Sequence, residues 1–192
     1  YATRGSILGG GIAAKSRDLG LILDNEHQSI RLSQLTAKAV NARFHSYLDG
    51  QRRGVATPKT DEFIELKLHP RYKDNVTRYM RVVRSIALKE SESGRQARLL
   101  QLRGQLLDPV TTATAALRLE AIGSDAASEI LLEGIASDDA EVQFHAAEAL
   151  AYLDQTEAVA PLAKSAREQP AYRVAAMAAL SAMDDGAAYD EL

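Results

Sequence analysis

Apolar residues change their spacing part-way along the chain. In the first ninety residues short runs alternate with longer amphipathic stretches. Leu19-Gly20-Leu21-Ile22-Leu23 is an apolar run of strand length closed by Asp24-Asn25. Ser6-Ile7-Leu8 and Gly11-Ile12-Ala13-Ala14 read as flanking a glycine turn or bulge. Ile30, Leu32, Leu35, Ala39, Val40 and Phe44 fall at helical spacing behind Ser29, an N-cap residue. Residues 49–54 with Pro58 read as a long polar loop. Ile64, Leu66 and Leu68 alternate with Phe63, Glu65 and Lys67, the period of a half-buried strand that His69-Pro70 ends. A second helix runs from Asn75 through Val76, Tyr79, Met80, Val83 and Ile86. The order predicts a small two-layer sheet with helices on one face.

Beyond residue 90 the pattern is helical throughout. Leu99, Leu100, Leu102, Leu106 and Leu107 stripe a helix over 95–107, and Asp108-Pro109 predicts the start of the next, which Gly123 stops. A return helix spans 124–135, and Ser137-Asp138-Asp139-Ala140-Glu141 opens another with an acidic first turn. Pro161 falls within the first turn of a helix over 159–167, Pro170 opens the last, and 187–192 reads as a loose tail. A unit recurs about thirty residues apart: Phe144, Leu150, Leu153 and Asp154 map onto Val174, Leu180, Met183 and Asp184, and Leu119 and Ile122 form a weaker upstream copy. Recurrent Ala-rich hairpins bury their apolar faces by stacking on neighbours, so Phe144, Leu150, Leu153, Val174, Leu180 and Met183 are expected in the core. The fold class is α+β: a small two-layer α/β unit over 1–90, then an all-α helical-repeat unit over 91–192, joined by the polar segment 89–94.

Charge sharpens that division. Residues 1–90 hold 16 Lys and Arg against 9 Asp and Glu, a balance of +7, while residues 91–192 hold 7 against 17, a balance of -10; together they give the net -3. Opposite balances on the two parts predict docking of one on the other, within a chain or between chains. The basic residues Arg52, Arg53, Lys59, Lys67, Arg71, Lys73, Arg78, Arg81 and Arg84 cluster on one loop, one strand and one helix, with Arg78, Arg81 and Arg84 at i+3 steps. Arg52, Arg53, Arg78, Arg81 and Arg84 are the candidate partner contacts. The alternative reading makes this basic face a nucleic-acid or general adaptor surface, with Tyr72 and Tyr79 stacking on bases. Interleaved Asp61, Glu62, Glu65 and Asp74 favour a protein partner.

No catalytic constellation emerges. Gly9-Gly10-Gly11 lacks phosphate-loop spacing, and Ser29 and Ser33 lack a nucleophile-elbow context. Glu62 and Glu65 have no spaced partner, and His27, His45, His69 and His145 never fall at i,i+3 or i,i+4 to one another. Zero cysteines exclude thiol catalysis and Cys-based metal sites. The expectation is a non-enzymatic protein without cofactor or metal. No apolar run reaches eighteen residues, so no membrane span is expected. Tyr stands at residue 1, and the chain reads as an excised or processed piece whose leader, if any, would lie upstream.

Two resemblances add to these readings. Asp139-Ala140-Glu141-Val142 and Ala146-Ala147-Glu148-Ala149-Leu150 resemble the start and centre of HEAT-like repeats, over about residues 108–185. Leu21-Ile22-Leu23-Asp24-Asn25, Ser29-Ile30, Ala37-Lys38-Ala39-Val40-Asn41-Ala42-Arg43-Phe44, Ala56-Thr57-Pro58-Lys59-Thr60-Asp61, Ile64-Glu65-Leu66 and Pro70 resemble the flagellar basal-body P-ring protein family over residues 18–90. Glu26-His27-Gln28 and Asp24 depart from that family's pattern, and the helical repeat is no part of it. The resemblance implies a periplasmic structural subunit that self-associates into a ring around the flagellar rod; a chain outside that family would be cytoplasmic.

Overall fold

The computed structural model describes residues 17–48 and 51–192; the glycine turn or bulge read at residues 6–14 lies outside them. Among the described residues strand β1 (Leu19–Ile22) comes first, helix α1 (Ile30–Arg43) follows, and β2 (His45–Leu48), β3 (Gln51–Gly54), β4 (Ala56–Pro58) and β5 (Phe63–Leu66) come next. β5 is central in an antiparallel sheet of order β1-β5-β4, while β2 and β3 pair as a separate hairpin. The alternation read in β5 holds: Ile64 and Leu66 are buried, Phe63 and Glu65 half-buried, and α1 lays Ala37 and Val40 over that face. Ser29 caps α1 through its hydroxyl, which accepts from the Leu32 N–H at 3.1 Å.

The expected polar loop at 49–58 is instead strand at both its described ends. β3 is exposed at all four positions, so no apolar alternation marks it. Its order comes from backbone pairing with β2. Next to it, the Asn41 amide accepts from the Ala56 N–H at 2.7 Å and donates to the Ala56 carbonyl at 2.8 Å.

Eight helices follow: α2 (Val76–Arg84), α3 (Glu92–Leu106), α4 (Thr112–Ile122), α5 (Asp125–Ile135), α6 (Ala140–Tyr152), α7 (Val159–Glu168), α8 (Arg173–Leu180) and the short α9 (Gly186–Asp190). Helices α2, α4, α6 and α8 stack in succession as one layer, with α3 on α5 in a second and α7 packed against α6 and α8. Side chains of Asn75, Ser91, Ser124 and Asp139 cap their helices as polar N-cap residues do. Gly123 ends α4 in the left-handed region, with φ 58°. Pro161 falls in the first turn of α7, as expected.

Three local expectations are corrected. Asp108-Pro109 forms the turn before α4 rather than its first turn: the Asp108 carboxylate accepts from the Val110 N–H, and the helix starts at Thr112. Pro170 likewise sits in the turn before α8, which starts at Arg173. The tail is not loose throughout, because Asp185 caps α9 and Ala188 is buried. The core is continuous across residue 90, running from Ala37 to Ala188. Helix α2, the last element before the charge boundary, occupies the first place in the helical stack.

Candidate functional site

α2 carries Arg78, Tyr79, Val82 and Val83 inward. Tyr79, Val82 and Val83 join the apolar core, which drags Arg78 into the crease between α4 and α6. There it meets two carboxylates. Its Nε and Nη2 donate to Glu120 Oε2 at 3.0 and 2.6 Å, and its Nη1 lies 2.6 Å from Glu148 Oε2. Tyr72 donates its hydroxyl to Glu120 Oε1 at 2.6 Å. The ring of Tyr152 fills the space between, stacked on Tyr72 at 4.7 Å with the Arg78 guanidinium 4.8 Å from its centroid.

Electrostatics follows from burial set against pairing. Burial works against the Arg78 charge, but Glu120 and Glu148 together outweigh it and hold the guanidinium charged. For Glu148 burial raises the pKa, yet Arg78 and a hydrogen bond to His145 leave it below the ordinary value. Glu120 is fully buried, and desolvation wins over Arg78 and Tyr72, leaving its pKa raised. Burial also pushes Tyr152 up to about 12.

Two more arginines of the N-terminal part reach the same helices at their C-terminal ends, where backbone carbonyls face outward and cations are favoured. Arg43 Nε donates to the Glu120 carbonyl at 3.0 Å; a Cβ on Gly123 would lie 2.5 Å from that nitrogen, so the bare glycine makes room for it. Arg71 Nη2 pairs with Asp154 Oδ2 at 2.9 Å. Asp154 itself sits at φ 64°, and its second oxygen accepts the Asp184 N–H at 3.0 Å, tying the two equivalent repeat positions together.

The structure therefore separates the five candidate contacts. Arg78 is buried and clamps the helices, so it is corrected from a partner contact to an interior residue; each three-residue step leaves a side chain about 60° round the helix, so Arg81 and Arg84 drift about 60° and about 120° away from it. Arg52 donates to the carbonyls of Asn41 and Ala42 at the end of α1, at 3.3 and 3.1 Å. Arg53, Arg81 and Arg84 are exposed. Tyr72 and Tyr79 are in the core and offer no face to a base. Val174, expected in the repeat core, is 81% exposed; among the described residues no further helix of this layer packs on that side of α8. Phe144, Leu150 and Leu180 are buried as expected, and Leu153 and Met183 pack at the margin.

Across the free part of the first layer runs a groove of about 260 Å³. Asn75, Thr77, Arg78 and Arg81 supply one wall, Ala113 and Leu117 of α4 the middle, and Phe144, His145, Glu148, Tyr172 and Ala175 the far side. Phe144 and Tyr172 stack at 4.1 Å and 7°, with His145 edge-on to both. His145 Nδ1 lies 3.6 Å from Glu148. Among the described residues no group of three His, Cys, Asp or Glu is placed to hold a metal, and no helix is long and apolar enough to cross a membrane.

Residues 96–183 match the family model of HEAT repeats. No curated protein and no solved structure matches the chain. HEAT repeats are helical arrays that bind proteins and are typically non-catalytic. The matched span begins inside α3, upstream of the 108 read from the motif, and leaves out α2 even though α2 stacks on α4. Sequence reading passed over Glu120 and Glu148. Their signal is a lone carboxylate among apolar neighbours, in Leu119-Glu120-Ala121 and Ala147-Glu148-Ala149, where a solvated helix face would carry more polar residues.

Proposed function

We propose that this chain is a non-enzymatic protein-binding module whose partner lies in the groove across α2, α4, α6 and α8. The observation that carries this reading is the groove itself: four helices of one layer contribute to it, its far side is an aromatic stack, and the exposed Arg81 stands among its lining residues. Aromatic and arginine side chains around a partly desolvated depression are the residue types that anchor interfaces. Arg53 and Arg84 lie outside the groove lining and extend the basic surface available to an acidic partner. A photo-crosslinking residue placed at Arg81 or Tyr172 should capture the partner in cells, while one at Leu100, exposed on α3, should not. Capture from Leu100 and not from the groove positions would overturn the assignment.

At a finer level we infer a structural subunit of the flagellar P-ring type, acting in the periplasm. The residue pattern of the segment 18–90 supports this. Export of the protein from the cytoplasm and its recovery with isolated basal bodies are the expected results; a protein retained in the cytoplasm would rule it out.

A further inference from the structure

Where the N-terminal part joins the helical array there is a cavity of about 510 Å³. The C-terminal ends of α1 and α4, the segment after α2 and the first turns of α3 enclose it. Its polar lining is Arg43, His45, Glu90, Arg95 and Arg98; apart from Gly123 the remainder is alanine and isoleucine. Three guanidiniums against one carboxylate leave the lining at +2. His45 stays neutral at pH 7, because burial and the cations Arg52 and Arg43 lower its pKa.

The protein itself does not satisfy these arginines. Arg43 Nε donates to the Glu120 carbonyl, but among the described residues Arg43 is in no ion pair. Its Nη2 is out of water and has no hydrogen-bond partner. Arg98 Nη2 donates to Glu90 Oε2 at 2.9 Å, while its Nε lies 2.9 Å from Oε1 without being aligned to donate to it. Arg95 reaches only Glu92, an exposed residue outside the lining. A buried cation short of partners is costly, and an anion in the cavity relieves it.

We propose that this cavity binds a phosphoryl dianion, either free phosphate or the phosphate of a small phosphomonoester. Such a group carries close to two negative charges at pH 7 and at least three acceptor oxygens, which matches the +2 lining and donors arriving from both α1 and α3. Guanidinium forks suit phosphate oxygens. The first turns of α3 add the helix end that favours negative charge. The carbonyl end of α4 would oppose an anion, but Arg43 already occupies its Glu120 carbonyl. The volume lies within the range of small-molecule sites, about 300–1,000 Å³, and the alanine and isoleucine walls leave room for a carbon body beyond the phosphate. Glu90 competes with the ligand for Arg98. The cavity uses Ala121, Ile122 and Gly123 at one end of α4, whereas the groove uses Ala113 and Leu117 at the other, so the two assignments stand or fall separately.

Calorimetric titration of the whole chain with inorganic phosphate, phenyl phosphate and phenol tests this, above the second phosphoryl ionisation at about 6. At least one phosphate should bind saturably with Kd below about 1 mM, and phenol should not bind. Tighter binding of phenyl phosphate assigns an organic monoester; equal or weaker binding assigns free phosphate. Arg95→Gln, at an exposed position, should weaken binding about tenfold. Glu90→Gln should tighten it about tenfold by releasing Arg98, a gain that a misfolded variant cannot give. In proton NMR the His45 ring resonances should move with the titration, while those of His145 in the groove stay. No saturation below about 1 mM, a Glu90→Gln variant that binds no tighter, or a shift at His145 instead of His45 would each overturn the proposal.

Discussion

Replacing Arg78 by Met keeps the length and apolar stem of the side chain and removes only its charge and donors. Three charge-assisted contacts of 2.6–3.0 Å disappear, two to Glu120 and one to Glu148. Each such bond taken alone is worth about 1.5–3 kcal/mol, but the sum overstates the loss because the abandoned carboxylates can take up protons. Leaving one side of a buried ion pair uncompensated costs about 3–5 kcal/mol, and that is the expected loss at pH 7. It is a large share of the ~5–15 kcal/mol that holds a domain folded.

The pH dependence of that loss is the stronger test. In the native protein Glu148 has a lowered pKa, so its contribution is present above the ordinary carboxylate value and fades as pH falls through the folded one. Glu120 has a raised pKa, so its contribution is present below the ordinary value and fades as pH rises through the folded one. The two trends oppose each other. Without Arg78 the main group lowering both is gone while burial stays, so both carboxyls are raised and the folded state binds the extra protons. Urea unfolding followed by circular dichroism should therefore show the deficit of Arg78→Met shrinking between pH 7 and pH 5. Adding Glu120→Gln and Glu148→Gln should recover most of the loss at pH 7. A deficit below about 1 kcal/mol, or one that does not change with pH, would refute the description of this cluster as a charged clamp.

Other substitutions probe the same frame. Gly123→Ala should cost about 2 kcal/mol or more by urea unfolding, since φ 58° disfavours a side chain and the new Cβ would displace Arg43. Phe144→Ala should cost about 3–5 kcal/mol, whereas Val174→Ala at the equivalent repeat position should stay within about 0.5 kcal/mol, because one is buried and the other bare. At Asp154, which combines a left-handed backbone with the Arg71 pair, Asp154→Gly should be more stable than Asp154→Ala by about 1 kcal/mol, isolating the backbone from the lost carboxylate.

The helical half was largely legible from its residues because stacked helices advertise themselves by local period and by caps. Ser124, Asp139 and Gly123 did in the structure what their types predict. β3 was not legible, since a strand exposed at every position has no apolar rhythm. The exposure of Val174 was missed for a related reason: repeat equivalence says that Val174 matches Phe144, but not which side of α8 the described residues leave uncovered. Arg78 was misplaced because its charge, and its neighbours Arg81 and Arg84, suggest a solvated face, while its position four residues before Val82 puts it on the buried face. The opposite charge balances of the two parts do meet within the chain, through Arg71 and Asp154 and through Arg78 with Glu120 and Glu148.

Arrays of stacked hairpins are usually treated as beads that can be trimmed, extended or grafted one unit at a time. The placing of α2 limits that freedom here. The helix that starts the stack is encoded with the sheet, and the cation that pairs with the two acids of the following helices travels with it. A transplant cut at the charge boundary near residue 90 would carry Glu120 and Glu148 without Arg78, and would strip α4 of its neighbour. The smallest portable piece therefore begins no later than Pro70, and any homologous array that ends in a different head must change those two glutamates as well.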